Sequence, residues 1–271
     1  MQINGTTELY GIIGNPVAHS LSPAMHNAAF AALDLNKVYL PFAVHDVPQA
    51  IAGLRALGIR GASVTVPHKQ AVIPHLDAID PVAAKIGAVN TLILDGGSLK
   101  GLNTDWLGAN RALAEKLALP GKRVLVLGAG GSARAIGFGL LEAGAEVALA
   151  SRTPEKGQAL ARELGCDWFP LAQAQKQSAD ALVNATSVGM TPGETATPIG
   201  QKALARFPVV MDIVYAPLET RLLREAAAAG CQVVDGLAML LYQGVAQFEL
   251  WTGRTAPVAV MRQALLAGIR H

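Results

Sequence analysis

The sequence predicts an α/β protein of two domains, the second of which contains a doubly wound parallel sheet. Three observations support this prediction. The chain has 271 residues, of which 51% are hydrophobic, and this suffices for one large or two ordinary hydrophobic cores. Along the chain, short apolar runs alternate with segments whose apolar residues have helical spacing. A glycine-rich turn follows the apolar run at residues 124–127 and precedes one of these helical segments.

The glycine-rich turn has the spacing of a dinucleotide-binding turn. Gly128, Gly130 and Ala133 match G-x-G-x-x-G/A, in which the first position permits a tight turn and the second lets the backbone approach a pyrophosphate. The third position keeps the helix close to the strand. A second predicted strand at residues 146–150 supplies the context that this motif requires. We expect a Rossmann-like domain, and an ordinary strand-to-helix turn is the alternative.

The residues after the second strand of this domain indicate NADP. An NAD site places a carboxylate about 20 residues after the turn to bind the ribose 2′-hydroxyl, whereas Ser151, Arg152 and Thr153 stand here. The guanidinium of Arg152 suits a phosphate, and Lys156 adds a second positive charge. One charge-assisted hydrogen bond contributes about 1.5–3 kcal/mol, which predicts an NADP preference of about tenfold to a hundredfold. The alternative is that Arg152 is a solvated surface residue.

The composition and the cysteine count limit the ligands and the cellular compartment that we expect for this protein. The 22 basic and 20 acidic residues give a formal charge of +2 without any basic run, so nucleic acid is not expected as a partner. Cys166 and Cys231 are too isolated for a disulfide framework or a metal site, and no metal is expected. The first residues lack the pattern of a secretory leader and no apolar run is long enough to span a membrane, so we expect a cytoplasmic protein.

The first third of the chain reads as alternating strands and helices. The predicted elements are a strand at 9–14, a helix at 24–33, a strand at 37–44, a helix at 47–57 and a strand at 61–66. Ser22 and Pro23 suit the N-cap and first position of the first helix. Ser20 and Ser22 beside a helix N-terminus could receive a small carboxylate, or they could only satisfy backbone N–H groups.

Three polar residues follow in the next segment. Lys69 comes after a strand end and Pro67, where we expect a helix to begin, so its ammonium could reach the carboxyl edge of the sheet. Asn90 lies near the start of a strand at 88–94, which a Gly96-Gly97 turn joins to a returning strand. Asp105 precedes a helix at 106–117 and could cap it or hold a substrate hydroxyl.

The remaining elements complete a doubly wound sheet. They are a helix that ends at Gly165, strands at 180–184 and 209–214, a helix that ends before Gly230, a strand at 232–234 and closing helices at 237–252 and 257–269.

Several separated motifs together resemble those of the shikimate dehydrogenases. They are residues 15–23, 64–69, 88–91, 103–105, 128–134, 151–153, 184–187 and 236–243. Each motif is weak alone, but they stand in the family's order and span nearly the whole chain.

The resemblance implies the reversible, NADP-linked reduction of 3-dehydroshikimate to shikimate in aromatic amino-acid biosynthesis. It implies a substrate domain at residues 1–105, completed by residues 238–271, that faces an NADP-binding domain at residues 106–237 across a cleft. The partner would be a small-molecule substrate, and the protein would be a monomer or a homodimer.

The resemblance also implies roles for individual residues. Lys69 and Asp105 would be the catalytic pair. The substrate-binding residues would be Ser20, Ser22, Thr65, Lys69, Asn90, Asp105, Tyr215 and Gln243. The cofactor-binding residues would be Gly128, Ala129, Gly130, Gly131, Ser132, Ala133, Ser151, Arg152, Thr153, Lys156, Thr186, Ile213, Gly236 and Met239. Ser151 departs from the family, which commonly has Asn there, and we expect a reduced phosphate contact from its hydroxyl.

Three alternatives stay open. A broader quinate and shikimate dehydrogenase could use NAD or NADP, although Arg152 argues against NAD. A methylene-tetrahydrofolate dehydrogenase is more distant, because the motifs with Ser20, Ser22 and Gln243 do not fit it. A non-catalytic, ligand-sensing homologue would be expected to lack Lys69 or Asp105, and both are present.

Overall fold

The computed structural model describes residues 3–269. These residues form two compact units. The first unit comprises residues 3–104 and 243–269, and the second comprises residues 105–242. The second unit ends at residue 242, whereas the sequence predicts that this domain ends at residue 237. The reason is that Ala238 and Met239 are buried in the hydrophobic core of the second unit.

The first unit alternates strands and helices up to residue 102. Its elements are β1 (Glu8–Gly14), α1 (Ser22–Ala32), β2 (Lys37–Ala43), α2 (Val47–Ala56), β3 (Gly61–Val64), β4 (Ala78–Ile79), α3 (Pro81–Ile86), β5 (Thr91–Asp95) and β6 (Ser98–Leu102). A 3₁₀ turn at Ile73–His75 precedes β4. The sequence does not predict this turn, β4 or α3, because segments of two to six residues are too short to show a hydrophobic period.

The sheet of the first unit is mixed, in the order β2-β1-β3-β5-β6-β4. β1 pairs in parallel with β2 and β3, whereas β5 pairs antiparallel with β3 and β6. Gly96 and Gly97 have φ values of 55° and 86° and make the two-residue turn between β5 and β6, as predicted. Because β5 runs against β3, the residues before β5 lie at the same sheet edge as the residues after β3.

The second unit consists of strand–helix repeats. Its elements are α4 (Asp105–Ala114), β7 (Arg123–Leu127), α5 (Gly131–Glu142), β8 (Glu146–Ser151), α6 (Pro154–Leu164), β9 (Asp167–Pro170), β10 (Ala181–Asn184), α7 (Gln201–Leu204), β11 (Val209–Asp212), α8 (Arg221–Ala228) and β12 (Gln232–Val234). A 3₁₀ segment at Leu171–Lys176 follows β9. The sequence does not predict β9, which has four residues and ends in proline.

The sheet of the second unit is entirely parallel, in the order β12-β11-β10-β7-β8-β9. This is the strand order of a doubly wound dinucleotide-binding sheet, with the order reversing between β7 and β10. The predicted α/β fold with a Rossmann-like second domain is therefore confirmed.

Several predicted boundaries differ from the structure. The strand predicted to run to residue 66 ends at Val64, the strand predicted from residue 88 begins at Thr91, and the helix predicted to run to residue 117 ends at Ala114. Each difference arises where an apolar run continues past the last paired residue, since hydrophobicity does not mark where backbone pairing stops.

Two long helices close the chain. α9 (Gly236–Thr252) begins in the second unit and ends in the first, and α10 (Val258–Ile269) packs against α1. α9 has 17 residues and is buried along most of its length. Within residues 3–269, no helix has both the length and the apolar character that crossing a membrane requires.

Candidate functional site

One edge of the first sheet collects polar residues from four segments. Thr65 follows β3, and its N–H donates to Ile13 O at 2.9 Å, while the N–H of Asn15 donates to Val66 O at 3.0 Å. The N–H of Val64 donates to Asn90 O at 2.8 Å. These bonds tie the loops after β1 and β3 to the segment before β5. We call this the polar edge, formed by Ser20, Ser22, Thr65, Lys69 and Asn90.

Ser20 and Ser22 lie at the start of α1. Leu21 is the residue before the helix and supplies no side-chain cap, so the prediction that Ser22 caps α1 is wrong. Instead Ser22 is the first helical residue, and its N–H donates to Ser20 Oγ at 3.3 Å. Ser22 is buried and Ser20 is half-buried. The serine hydroxyls therefore stand at the positive end of an eleven-residue helix.

Lys69 lies in a series of turns after β3. No helix begins there, so that prediction is wrong; the 3₁₀ turn starts only at Ile73. The reason lies in local anchoring: the buried His68 ring bonds through Nε2 to Val44 O at 2.9 Å, and Val89 N–H donates to Lys69 O at 2.8 Å. The half-buried Lys69 is therefore tied by its backbone to the segment that carries Asn90.

The Asn90 side chain is buried and its amide orientation is fixed. Asn90 Oδ1 accepts from the N–H of Thr104 at 2.7 Å and from the hydroxyl of Thr91 at 2.7 Å. Because a backbone N–H can only donate, the atom facing it must be the amide oxygen. Asn90 Nδ2 then donates to Thr104 Oγ1 at 3.1 Å. The sequence analysis identified Asn90 but not Thr91 or Thr104. Both threonines lie in the motifs at residues 88–91 and 103–105, and this position was the signal that could have identified them.

The other predicted substrate residues lie on two helices and in one loop. Gln243 is buried in the part of α9 that belongs to the first unit. Asp105 is half-buried and is the first residue of α4 in the second unit, so it belongs to the helix itself. Tyr215 is half-buried and follows β11 in the second unit. The structure therefore joins the segments of Thr65, Lys69 and Asn90 by backbone hydrogen bonds and places Ser20 and Ser22 at the start of α1. It assigns Asp105 and Tyr215 to the other unit.

The glycine-rich turn of the second unit has the features of a pyrophosphate site. Gly128 has a φ of 120°, and a Cβ there would lie 3.1 Å from Ala185 O. Gly130 precedes α5 without a side-chain cap, and a Cβ at Gly130 or Gly131 would meet nothing within 4 Å. Packing therefore does not require these two glycines, whereas the close approach of a phosphate to the start of a twelve-residue helix does. The residues present fit a bound dinucleotide.

The segment after β8 differs in part from the expectation. Arg152, Thr153 and Lys156 are exposed, as a 2′-phosphate site needs. Ser151 is only 4% exposed; its hydroxyl donates to Thr153 O at 3.2 Å and accepts from Trp168 Nε1 at 2.9 Å. Because its one proton is already donated, the expected phosphate contact from Ser151 is not supported. Here the serine anchors β8 to β9 instead.

A buried network shapes the loops after β10 and β11. Asp212 is fully buried and accepts from Thr220 Oγ1 at 2.7 Å, Asn184 Nδ2 at 2.9 Å and Val214 N–H at 3.1 Å. Burial raises the pKa of Asp212, although its three hydrogen bonds oppose the shift. Asn184 Oδ1 in turn accepts from the N–H and the hydroxyl of Thr186, at 3.1 and 2.7 Å.

This network positions two predicted cofactor residues, Thr186 and Ile213. The N–H of Ile213 donates to Asn184 O at 3.1 Å. Gly236 lies against the same segment, since a Cβ there would lie 2.6 Å from the carbonyl carbon of Ile213. Asp235 Oδ1 accepts from Ala238 N–H at 2.9 Å at the start of α9, near Met239 in sequence. The sequence did not point to Asp212, although a polar residue that ends an apolar strand is a signal for it.

Comparison with sequence families matches most of the first sheet and the end of the chain to two family models. The family described as "Shikimate dehydrogenase substrate binding domain" matches residues 12–92, and "Shikimate 5'-dehydrogenase C-terminal domain" matches residues 236–266. The family described as "NADP oxidoreductase coenzyme F420-dependent" matches residues 123–202. The three matches together cover the polar edge, the glycine-rich turn and α9.

Individual proteins match over nearly the full length. A curated relative from Moorella thermoacetica, named "Shikimate dehydrogenase (NADP(+))", is 50% identical over 98% of this chain and 95% of its own. A crystal structure of a shikimate dehydrogenase in complex with NADP+ has a TM-score of 0.94 at 40% identity, covering 99% of this chain and 98% of its own. A structure of the shikimate 5-dehydrogenase from Thermus thermophilus, in complex with NADP(H) and shikimate, has a TM-score of 0.89 at 42% identity, covering 96% of this chain and 99% of its own.

Proposed function

Because the chain belongs to the shikimate dehydrogenase family, we propose that it catalyses the reversible, NADP-linked reduction of 3-dehydroshikimate to shikimate. The observation that carries this proposal is the 50% identity to an NADP-dependent shikimate dehydrogenase over 98% of the chain. The match includes both units, so it covers the polar edge and the glycine-rich turn alike. Lys69 and Asp105, which a sensing homologue would be expected to lack, are both present.

NADP would bind to the second unit. Supporting this, the residues at the start of α5 leave open space for a pyrophosphate, and Arg152, Thr153 and Lys156 are exposed after β8 for the 2′-phosphate. Thr186, Ile213, Gly236 and Met239 would line the nicotinamide side. When bound in reduced form, the nicotinamide supplies a hydride. Ser151 has no part in this proposal as a phosphate donor.

The polar edge of the first unit would bind the substrate. Ser20 and Ser22 at the positive end of α1 suit the carboxylate, with Tyr215 as a further contact. Thr65, Asn90, Asp105 and Gln243 would bind ring hydroxyl groups. Asn90 would do so as a donor, since its amide oxygen already accepts from Thr104 and Thr91.

Lys69 and Asp105 would donate and accept the proton at the reacting oxygen of the substrate. Reduction of the ring ketone leaves negative charge on its oxygen, which must gain a proton within hydrogen-bond reach. The ammonium of Lys69 can donate that proton and stabilise the developing charge, and the carboxylate of Asp105 can accept from the ammonium or from the substrate hydroxyl. In the oxidative direction the same pair would receive the proton from the C3 hydroxyl.

The cytoplasm is the proposed compartment. Cys166 and Cys231 carry free thiols, and burial raises the pKa of Cys166 to about 11. Both thiols are therefore compatible with a reducing compartment, where structural disulfides are rare.

The direct test is initial-rate measurement of NADP+ reduction by absorbance, with shikimate as substrate. Parallel reactions replace shikimate with quinate and NADP+ with NAD+. We expect rapid turnover with shikimate and NADP+ and little with the other pairs. Comparable rates with quinate or NAD+ would point to the broader dehydrogenase. No turnover in any pair, with NADPH still bound, would contradict the proposed activity and favour the sensing homologue.

A further inference from the structure

A continuous chain of buried hydrogen bonds runs through the first unit to Asn90. It starts at Tyr39 on β2, whose hydroxyl lies 2.6 Å from Ser63 Oγ on β3. Ser63 Oγ lies 2.8 Å from Gln247 Oε1 on α9. The chain thus connects two strands of the sheet to the closing helix.

Gln247 continues the chain toward Asn90. Its Nε2 donates to Thr91 Oγ1 at 3.0 Å and to Asn90 O at 3.2 Å. Thr91 Oγ1 then lies 2.7 Å from Asn90 Oδ1. One glutamine side chain therefore contacts both the backbone of Asn90 and the hydroxyl that holds its amide.

Water has no access to this chain. Tyr39, Gln247 and Thr91 are fully buried, and Ser63 and Asn90 are 5% and 3% exposed. In such surroundings a lost hydrogen bond is not replaced by solvent, so each member depends on the next.

The direction of every bond follows from one backbone group. The N–H of Thr104 requires the oxygen of Asn90 as its acceptor, and the Thr91 hydroxyl donates to that same oxygen. The Thr91 oxygen is then the acceptor for Gln247 Nε2, which leaves Gln247 Oε1 to accept from Ser63. Ser63 in turn accepts from Tyr39. All five side chains are thereby held in one arrangement.

We propose that Gln247 and Thr91 are positioning residues for the reaction, because, together with the N–H of Thr104, they hold the Asn90 amide in the orientation that presents an N–H to a substrate hydroxyl. This inference rests on the proposed function, in which Asn90 binds the substrate. If the amide rotated, its oxygen would face the hydroxyl and its nitrogen would face the N–H of Thr104, with donor against donor. The chain of bonds blocks that rotation.

The test uses steady-state kinetics on variants that remove single links. Thr91→Val keeps the side-chain shape but neither donates to Asn90 nor accepts from Gln247, and Gln247→Met keeps the length without the amide. We expect each to raise the KM for shikimate about fivefold to tenfold, with the KM for NADP+ unchanged. Thr91→Ser restores the hydroxyl and should return the KM to within about twofold of wild type.

A matched control and a double-mutant cycle separate positioning from general structure. Thr252→Val makes the same substitution at the end of α9, where Thr252 Oγ1 bonds to the backbone of Phe248 and Arg254, and it should leave the KM unchanged. In an Asn90→Ala background, Thr91→Val and Gln247→Met should have little further effect on the KM, since the group they position is gone.

Three outcomes bear on the inference. Folded Thr91→Val and Gln247→Met variants with a wild-type KM would overturn it, as would effects that add fully to those of Asn90→Ala. If either variant fails to fold, Thr91→Ser and Ser63→Ala supply the comparison, with Ser63→Ala expected to raise the KM and Thr91→Ser to preserve it. Absence of wild-type turnover with shikimate would instead overturn the proposed function, and this inference with it.

Discussion

The carboxylate of Asp212 accepts a hydrogen bond from the side-chain amide of Asn184 at 2.9 Å, and neither residue is exposed to solvent. The two residues end the adjacent parallel strands β11 and β10. Since Asn184 also holds Thr186, the pair fixes both loops at the edge of the sheet where the dinucleotide would lie. A buried carboxylate is thus used to shape a cofactor site that it need not touch.

Replacing Asp212 should weaken cofactor binding. Asp212→Asn preserves the size of the side chain but replaces one acceptor oxygen with an NH₂ donor. This group would face the donors of Thr220, Asn184 or Val214, which should lower the free energy of unfolding by about 1–3 kcal/mol. We expect a lower thermal midpoint and an increased Kd for NADPH, measured by fluorescence titration. Asp180→Asn is the control, because Asp180 stands before the opposite end of β10 and accepts from Arg123 N–H. An unchanged NADPH Kd in Asp212→Asn would refute this role.

Removing the charge at Arg152 should change cofactor preference. Arg152→Ala is expected to reduce kcat/KM for NADP+ by about tenfold to a hundredfold while leaving that for NAD+ nearly constant, because only NADP+ carries the 2′-phosphate. Arg162→Ala removes an exposed arginine from the far end of α6 and should preserve the preference. Equal losses with both cofactors would mean that Arg152 does not read the phosphate.

Removing the ammonium at Lys69 should affect turnover more than binding. Lys69→Ala is expected to reduce kcat by about a hundredfold or more, the usual contribution of general acid–base catalysis, with a smaller change in shikimate affinity. Lys100→Ala removes an exposed lysine from β6 and should behave as wild type. Near-normal turnover of Lys69→Ala would exclude Lys69 from the mechanism.

The buried His26 should make the protein less stable in mild acid. His26 is fully buried and stacked on Tyr39 at 4.6 Å between ring centroids, and burial lowers its pKa from 6.5 to about 3. Between these values the unfolded chain binds a proton that the folded protein excludes, so the free energy of unfolding falls as the pH drops below 6.5. The loss from this residue should reach about 2 kcal/mol near pH 5.

Urea unfolding of wild type and His26→Phe, at neutral pH and near pH 5, checks this prediction. Phenylalanine retains a ring against Tyr39 but has no proton to bind, so the difference between the two pH values should shrink by most of that amount. His19→Ala removes an exposed histidine and should retain the wild-type difference. An unchanged pH dependence in His26→Phe would contradict the assigned cause.

The second unit was the more predictable half, because its glycine turn and regular strand–helix alternation are local signals. The glycine turn at Gly128 and the doubly wound parallel sheet follow from them. The antiparallel pairing of β5 with β3, which brings Asn90 beside Val64, joins segments about 30 residues apart in sequence and depends on long-range packing. Residue spacing alone does not show that pairing.

The contacts that the supporting residues make in the candidate site were not predictable from the sequence. Gln247 reaches Asn90 across 157 positions, and Asp212 reaches Asn184 across 28. Separations of this length leave no helical or strand periodicity in the sequence from which the contact could be predicted. Ser151 shows the reverse case: its motif suggested a phosphate contact, but the distant Trp168 engages its hydroxyl. Tertiary contacts decide which polar residue faces a ligand and which holds another side chain.

The most direct test of the proposed activity follows hydrogen between cofactor and product. The enzyme would be supplied with 3-dehydroshikimate and NADPH that carries deuterium at both C4 positions of the nicotinamide, and the shikimate formed would be examined by mass spectrometry. The account predicts shikimate with a single deuterium bound to carbon, and unlabelled carbon when ordinary NADPH is used in deuterated water. Formation of no shikimate, or of shikimate without deuterium from the labelled cofactor, would contradict it.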